Sequence, residues 1–380
     1  MADSWTIRSM LSWCEGYLSR HGDASARHSA EMLIAHACEL DRIALYLDMD
    51  RPLEPAELDF LREAVRRRGQ GEPLQYITGT APFRYLELKV APGVLIPRPE
   101  TEVLVSEALA LLPPAPKPQD AYDAKLLEAF VAARKDAEAA ADAETVGAEA
   151  AADGNDAVAS EYAANAEEAT MTEAAGGIAA GETGAGTSVA SEAAAATKDS
   201  PALLLVADIC TGTGCIACSI ASEHELTRVF ATDISPDAIA LANENVADCG
   251  LADRVSVLEC DLGSGLPTEY AGALDLVVSN PPYVPTAVIA EIPHEVSGFE
   301  PALALDGGAD GLDIFRRLAP WAFDNLKPGG GFACELHETC LDEAAAFARE
   351  AGFTGVRIVR DLAGRPRVLV ARKPETSAAH

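Results

Sequence analysis

From residue 203 onward, short apolar runs of strand length alternate with segments of helical periodicity, and this alternation restricts the possible folds more than any other feature. The runs are 203–209, 229–234, 255–260, 274–279, 332–336, 356–359 and 368–371, with helical patterns at 215–224, 236–249 and 312–326. Strands that are apolar along their whole length and separated by helices form a parallel or mostly parallel sheet covered on both faces. The last runs follow one another closely, which allows an antiparallel edge pair.

Upstream the texture differs. Residues 1–75 read as amphipathic helices, with Leu11, Tyr17 and Leu18, then Met32, Leu33 and His36, then Leu58, Leu61 and Val65 on single faces. The basic run Arg66–Arg67–Arg68 reads either as a helix C-terminus complementing the macrodipole or as a docking patch. Residues 75–97 alternate and turn, as in a β-hairpin linker, and a helix starting near Pro99 runs to Leu112. The expected organisation is a helical domain over 1–75, a hairpin linker with the first catalytic-domain helix over 76–112, an insert over 113–200, the main α/β domain over 201–374 and a tail over 375–380. Between 119 and 200 there are 17 acidic and 4 basic side chains and few large apolar ones. Such a tract cannot offset the entropy of ordering, so disorder or weak helicity is expected, and a tolerated insertion is favoured over an interaction arm.

With 29 Lys+Arg against 60 Asp+Glu, the chain carries a formal charge of −31, which disfavours sequence-independent nucleic-acid binding. No stretch has the length of a membrane span and no signal peptide is visible. Nine cysteines without framework spacing fit a reducing cytoplasm.

The first βα turn contains Asp208-Ile209-Cys210-Thr211-Gly212-Thr213-Gly214-Cys215-Ile216-Ala217. Gly212 and Gly214 let a cofactor approach the backbone, and Ala217 permits close helix–strand packing. Taken alone, this Gly-x-Gly-x-x-Ala suits a nicotinamide dinucleotide about as well as S-adenosylmethionine. Asp208 reads either as a carboxylate for the cofactor's amino group or as a turn-stabilising residue. Asp233, 25 residues further on and at the end of the second strand, is placed to accept both ribose hydroxyls, with an N-cap as the plainer alternative. Asp261 at the third strand end can receive the adenine amine, with Leu262 against the ring. Three carboxylates at successive strand ends would suit a sulfonium cation better than a pyrophosphate.

The decisive motif is Asn280-Pro281-Pro282-Tyr283, directly after the apolar strand 274–279. Two consecutive prolines make a rigid, extended strand exit that lacks two backbone donors. Asn280 Oδ1 and the Pro281 carbonyl can each accept one N–H of a planar –NH2, as in a carboxamide or adenine, holding its nitrogen toward a methyl donor. Tyr283 would wall the planar group. No nucleophilic Cys or Ser is required, and the proton can leave after transfer.

Seven strands with this ending suggest the methyltransferase variant of the doubly wound fold, and the sequence resembles the HemK/PrmC family. The likeness is carried by Gly71-Glu72-Pro73-Leu74-Gln75-Tyr76-Ile77-Thr78-Gly79, Val94-Leu95-Ile96-Pro97-Arg98-Pro99-Glu100-Thr101-Glu102, the Asp208 turn, Asp233, Asn280–Tyr283, the Phe299–Gly308 segment and Arg360-Asp361-Leu362-Ala363-Gly364-Arg365. It covers nearly the whole chain outside 113–200. The resemblance implies a class I S-adenosylmethionine-dependent methyltransferase, with a small N-terminal helical domain and a β-hairpin linker. Its implied activity is methylation of the side-chain amide nitrogen of the glutamine in the Gly-Gly-Gln motif of class I peptide chain release factors. By position, Cys210, Thr211, Gly212, Thr213, Gly214, Asp233, Leu262 and Asn280 would contact the cofactor. Asn280, Pro281, Pro282 and Tyr283 would contact the glutamine, and the helical domain the release factor. Two departures are Cys210, where the family often has Gly, and Glu335-Leu336-His337, where it commonly has Glu-x-Gly. Cys210 is expected to cost little because it is small.

Rival readings are a glutamine methyltransferase of a ribosomal protein, an adenine-N6 methyltransferase, which would need a basic groove, and a non-catalytic cofactor-binding scaffold. Cys215-x-x-Cys218 is read as packing rather than as a redox or metal site, and no metal site is expected. His294-Glu295 reads as orienting Tyr283 or the substrate, or as a solvated loop. Trp5, Trp13 and Trp321 are expected in helix packing.

Overall fold

The computed structural model of the chain describes residues 5–114 and 203–375. Beyond its first two residues, the acidic tract 113–200 lies outside the described residues, as does the tail after residue 375.

Four helices, α1 (Ile7–Arg20), α2 (Ala26–Ala37), α3 (Arg42–Leu47) and α4 (Pro55–Gly69), build a core of their own around Ile7, Leu11, Leu33, Ile34, Leu61 and Val65. Thr6 and Asp41 cap α1 and α3 through their side-chain oxygens, and Pro55 opens α4 where no N–H is needed. The basic run lies in the last turn of α4, and each arginine is paired internally: Arg66 with Glu63, Arg67 with Glu72, and Arg68 with Asp23 and Glu295. The run thus stands where the helix-terminus reading expects it. Trp5 and Trp13 also depart from expectation: at 40% and 44% exposure they sit edge to face on the outside of α1, where Trp13 stacks on Tyr17 and Tyr17 on His21. Trp321 packs as expected, against Gly263, where even a Cβ would collide with the indole.

The stretch expected to begin a hairpin starts with a helical turn, α5 (Leu74–Thr78), stopped by Gly79 at φ 78°. The hairpin proper is β1 (Thr80–Phe83) with β2 (Leu86–Lys89), followed by α6 (Thr101–Leu111).

Seven strands form the main sheet: β3 (Leu204–Ile209), β4 (Thr227–Asp233), β5 (Val255–Glu259), β6 (Leu274–Ser279), β7 (Leu326–Glu335), β8 (Thr354–Arg360) and β9 (Pro366–Arg372). Their order is β5-β4-β3-β6-β7-β9-β8; the first five are parallel, and β9 runs antiparallel between β7 and β8. This is the class I methyltransferase arrangement expected from the alternating pattern. The helices of this region are α7 (Cys215–Glu223), α8 (Pro236–Asp248), α9 (His294–Ser297), α10 (Ala302–Leu305), α11 (Asp313–Asn325) and α12 (Leu341–Glu350). Residues of α6, α7 and α8 join Val206, Val229, Leu276 and Val278 in one core, while α11 and α12 cover Ile209, Val277, Phe332 and Leu369 on the other face. Continuous apolar strands are thus explained by burial on both sides. β7 begins six residues earlier than its apolar run, because Leu326 already pairs with Leu274 and Lys327-Pro328-Gly329-Gly330 lie in a register shift before pairing resumes at Gly331. The chain leaves β3 for β4 and β5 on one side and returns to β6 on the other, so the crevice lies where the winding reverses.

Candidate active site

A cavity of about 880 Å³ opens at the carboxyl ends of β3, β4, β5 and β6. Cys210, Thr211, Gly212 and Thr213 line it from the turn after β3, which places backbone beside the space a ligand would fill. Gly214 ends the turn at φ 79°, one residue before α7, and Gly212 has φ 56°. Cys210 also lies in the left-handed region, at φ 61°. Its departure from glycine is thus a matter of backbone strain rather than side-chain size, contrary to expectation.

Asp208 does not line the cavity. It is fully buried, and its Oδ2 accepts from the Thr211 hydroxyl and from the Ala217 N–H at 3.1 Å. Burial pushes its pKa up to about 7 against these hydrogen bonds. The turn-stabilising reading holds for Asp208, and the cofactor contact does not. Asp233 does line the cavity. Gly212 N–H donates to its Oδ2 at 2.9 Å and Ser235 N–H to its Oδ1 at 3.0 Å, so the carboxylate is aimed by backbone alone. Ser235, not Asp233, caps α8, which removes the plainer alternative. Asp261 lines the cavity too, but in an ion pair with Arg317 of α11. The expected trio of carboxylates thus reduces to one buried, one cation-paired and one, Asp233, held by neutral donors. Leu262 lines the same wall at φ 50°. Ile234 and Leu303, 55% and 60% exposed, add apolar wall that sequence reading did not flag.

On the opposite side Asn280 and Pro282 line the cavity. Asn280 Nδ2 donates to Thr101 Oγ1 at 3.1 Å, which leaves Oδ1 as the free acceptor of the amide. Pro281 is buried and, unlike Pro282, is not part of the cavity wall; its carbonyl accepts no hydrogen bond among the described residues. Tyr283 does not line the cavity as expected: its ring packs toward the α11–α12 core and its hydroxyl donates to Glu335 Oε1 at 3.0 Å. Backbone bonds from Val284 to Leu305, from Gly307 to Val284 and from Thr286 to Gly308 fix the exit of the corner. A Cβ at Gly307 would come within 2.7 Å of Tyr283 Cα, so this close approach requires glycine.

Several residues to which the motifs assign no role, and Asn245 outside them, brace the site. Arg98 donates to both oxygens of Glu300, whose side chain is buried, and so binds the segment before α6 to the segment before α10. The Tyr76 hydroxyl donates to the Val94 carbonyl at 2.7 Å. Asn245 of α8 bridges Lys89 of the hairpin to the Thr213 carbonyl of the cofactor turn. Glu295 pairs with Arg68, and His294 stacks on Phe299, so neither orients Tyr283. Cys215 and Cys218 are buried in the α7 core, and burial pushes the Cys215 thiol up to about 12.

Residues 9–79 match the family model of the PrmC N-terminal domain, and residues 170–295 that of the methyltransferase small domain. The chain is 33% identical to the release factor glutamine methyltransferase of Geobacter sulfurreducens over 97% of both proteins. It is 32% identical to that of Moorella thermoacetica, over 97% of this chain and 99% of the relative. The chain belongs to the release factor glutamine methyltransferase family. A third member, from Mycolicibacterium smegmatis, is 30% identical over 97% of this chain and 98% of its own length. Within this family the departure at His337 is local: its Nδ1 meets the Thr339 hydroxyl at 2.8 Å, while Glu335 keeps its contact with Tyr283.

The wall residues fit S-adenosylmethionine, the cofactor of this family. The cavity has the volume of small-molecule sites. Asp233 presents a carboxylate suited to a diol, and Ile234 and Leu262 supply apolar surface for a flat base.

Proposed function

We propose that the protein transfers a methyl group from S-adenosylmethionine to N5 of the glutamine in the Gly-Gly-Gln motif of class I peptide chain release factors, and thereby modulates translation termination. The observation that carries this reading is the Asn280 amide at the cavity wall, whose Nδ2 is occupied by Thr101 so that Oδ1 is left free to accept. When bound, the cofactor supplies a methyl group activated on a sulfonium. Asn280 Oδ1 and the Pro281 carbonyl each take one N–H of the glutamine amide and hold its nitrogen toward that methyl. Both acceptors also stabilise the positive charge that develops as the N–C bond forms and the S–C bond breaks. The proton then leaves to water, and no general base is needed. Asp233 and the cofactor turn fix the donor, and the helices of 5–69 offer a surface to the release factor.

The net charge of −31 speaks against an adenine in nucleic acid as the acceptor. Among the described residues no helix is long and apolar enough to cross a membrane. A translation factor as substrate supports a cytoplasmic location. The test is incubation of the protein with labelled cofactor and an intact class I release factor, followed by mass-spectrometric mapping. A methyl on the Gly-Gly-Gln glutamine supports the reading; label on another residue, or none, refutes it.

A further inference from the structure

Between the reacting corner and the cavity wall the chain forms a strap. It leaves Tyr283 and is closed at its base, where Val284 N–H donates to the Leu305 carbonyl and Gly307 N–H to the Val284 carbonyl. It returns through Pro301, Ala302 and Leu303, which line the cavity. Three contacts hold its far part. Arg98 clamps Glu300, Phe299 packs with Tyr76, Ala81, Val90 and Ile96 around the hairpin, and Glu295 on α9 meets Arg68 of α4. Among the described residues, Arg68–Glu295 is the only ion pair between the helices of 5–69 and residues 203–375.

This pair is more constrained than a surface one. The Arg68 side chain is 9% exposed; its Nε donates to Asp23 Oδ2 at 2.8 Å, and its Nη1 to Glu295 Oε1 at 2.7 Å and to the Glu72 carbonyl at 2.9 Å. One planar group thus joins the turn between α1 and α2, the exit of α4 and the strap, and its fork fixes direction as well as distance. Its neighbours Arg66 and Arg67 find their carboxylates close by in sequence, at Glu63 and Glu72, so the end of α4 does not by itself call for a partner 227 residues away. A protein acceptor that rests on the helical domain and reaches the Asn280 corner touches two sites at once. Its glutamine arrives in register only if the span between those sites is fixed, since a displacement of about 1 Å at the reacting atoms can cost on the order of a hundredfold in rate. A short peptide bound at the corner alone is indifferent to that span. Resting on the release-factor reading above, we propose that Arg68 and Glu295 are positioning residues for the protein substrate, tying the helical domain to the strap and so setting the span between docking surface and reacting corner.

The experiment uses the full chain as wild type, Glu295→Lys, Glu295→Gln and Glu63→Gln, the last breaking the Arg66 pair within α4. Steady-state transfer is measured to an intact class I release factor and to a synthetic peptide carrying Gly-Gly-Gln, and cofactor affinity by calorimetry. Glu295→Lys sets a second cation against Arg68 and is expected to lower kcat on the intact factor at least roughly tenfold, as for a misplaced reacting group, with KM within about twofold because docking on the helices persists. Glu295→Gln keeps an acceptor for Arg68 and should lose less. Both variants should match wild type in transfer to the peptide and in cofactor affinity, and Glu63→Gln should match it throughout. Wild-type kcat on the factor in Glu295→Lys would overturn the proposal. So would an equal loss on the peptide, or lost cofactor affinity in both Glu295 variants, since the pair would then support the cavity rather than set a span. If Glu295→Lys alone loses cofactor affinity, kcat of Glu295→Gln on the factor decides, and if wild type does not accept the peptide, cofactor affinity is the control for the cavity. A wild type inactive on the factor refutes the substrate reading and this proposal with it, whereas an active wild type equalled by Glu295→Lys refutes only the role of the pair.

Discussion

The two walls of the cavity are held in different ways. On the cofactor side, Asp233 is fixed by the backbone N–H groups of Gly212 and Ser235, all within one strand end and the turn beside it. On the reacting side, Asn280 leans on Thr101, Tyr283 on Glu335 and Arg98 on Glu300, partners 179, 52 and 202 residues apart in sequence. A wall made of backbone donors tolerates changes in neighbouring side chains. A wall made of long-range side-chain pairs fails one residue at a time.

The largest expected effect lies on the second wall. Asn280→Ala should lower turnover by about 10²–10³-fold, the usual loss for a group that stabilises developing charge, while cofactor binding persists; near-wild-type turnover would break the comparison at its centre. Arg98→Ala leaves Glu300 buried without its partner and should cost about 3–5 kcal/mol in urea unfolding. A loss confined to activity, with unfolding unchanged, would show that the clamp is not structural. On the first wall, Asp233→Ala removes hydrogen bonds worth about 1.5–3 kcal/mol. Calorimetry should show a matching loss of cofactor affinity, with kcat restored at saturation.

Asp208 offers a pH test. Its folded pKa of about 7 lies above the ordinary carboxylate value, so the folded protein holds this proton more tightly than the unfolded chain does. The contribution to stability is complete in acid and is lost as pH rises from near the ordinary value through about 7. Thermal melts of Asp208→Asn should lack that decline, and an unchanged pH slope would contradict the assignment. The smallest effect is Cys210→Gly. Relief of a left-handed backbone is worth on the order of 1 kcal/mol, so this variant should melt slightly higher than wild type.

The same contrast explains what could be read from the sequence. The strands and the cofactor turn were visible because glycines, apolar runs and strand-end aspartates act within a few residues of themselves. Asn280 to Tyr283 was visible because consecutive prolines dictate a local backbone. Thr101 and Glu335 were not, since nothing within their own segments shows that α6 and β7 meet behind the corner. Asp208 was ambiguous for a related reason: only burial decides which way its carboxylate turns. Tyr283 was misplaced because a short motif fixes a backbone path without fixing what packs beneath it.

The position of β9 has a consequence for biosynthesis. A chain leaves the ribosome from its amino end, yet among the described residues β8 pairs in the sheet only with β9, which is made after it. A nascent polypeptide halted after Arg360 would therefore hold a finished β8 with no neighbour to zip against, and β7 with one edge bare. Completion of the sheet has to wait for β9 to slot between two strands made before it, so its pairing closes the sheet late in the order of synthesis.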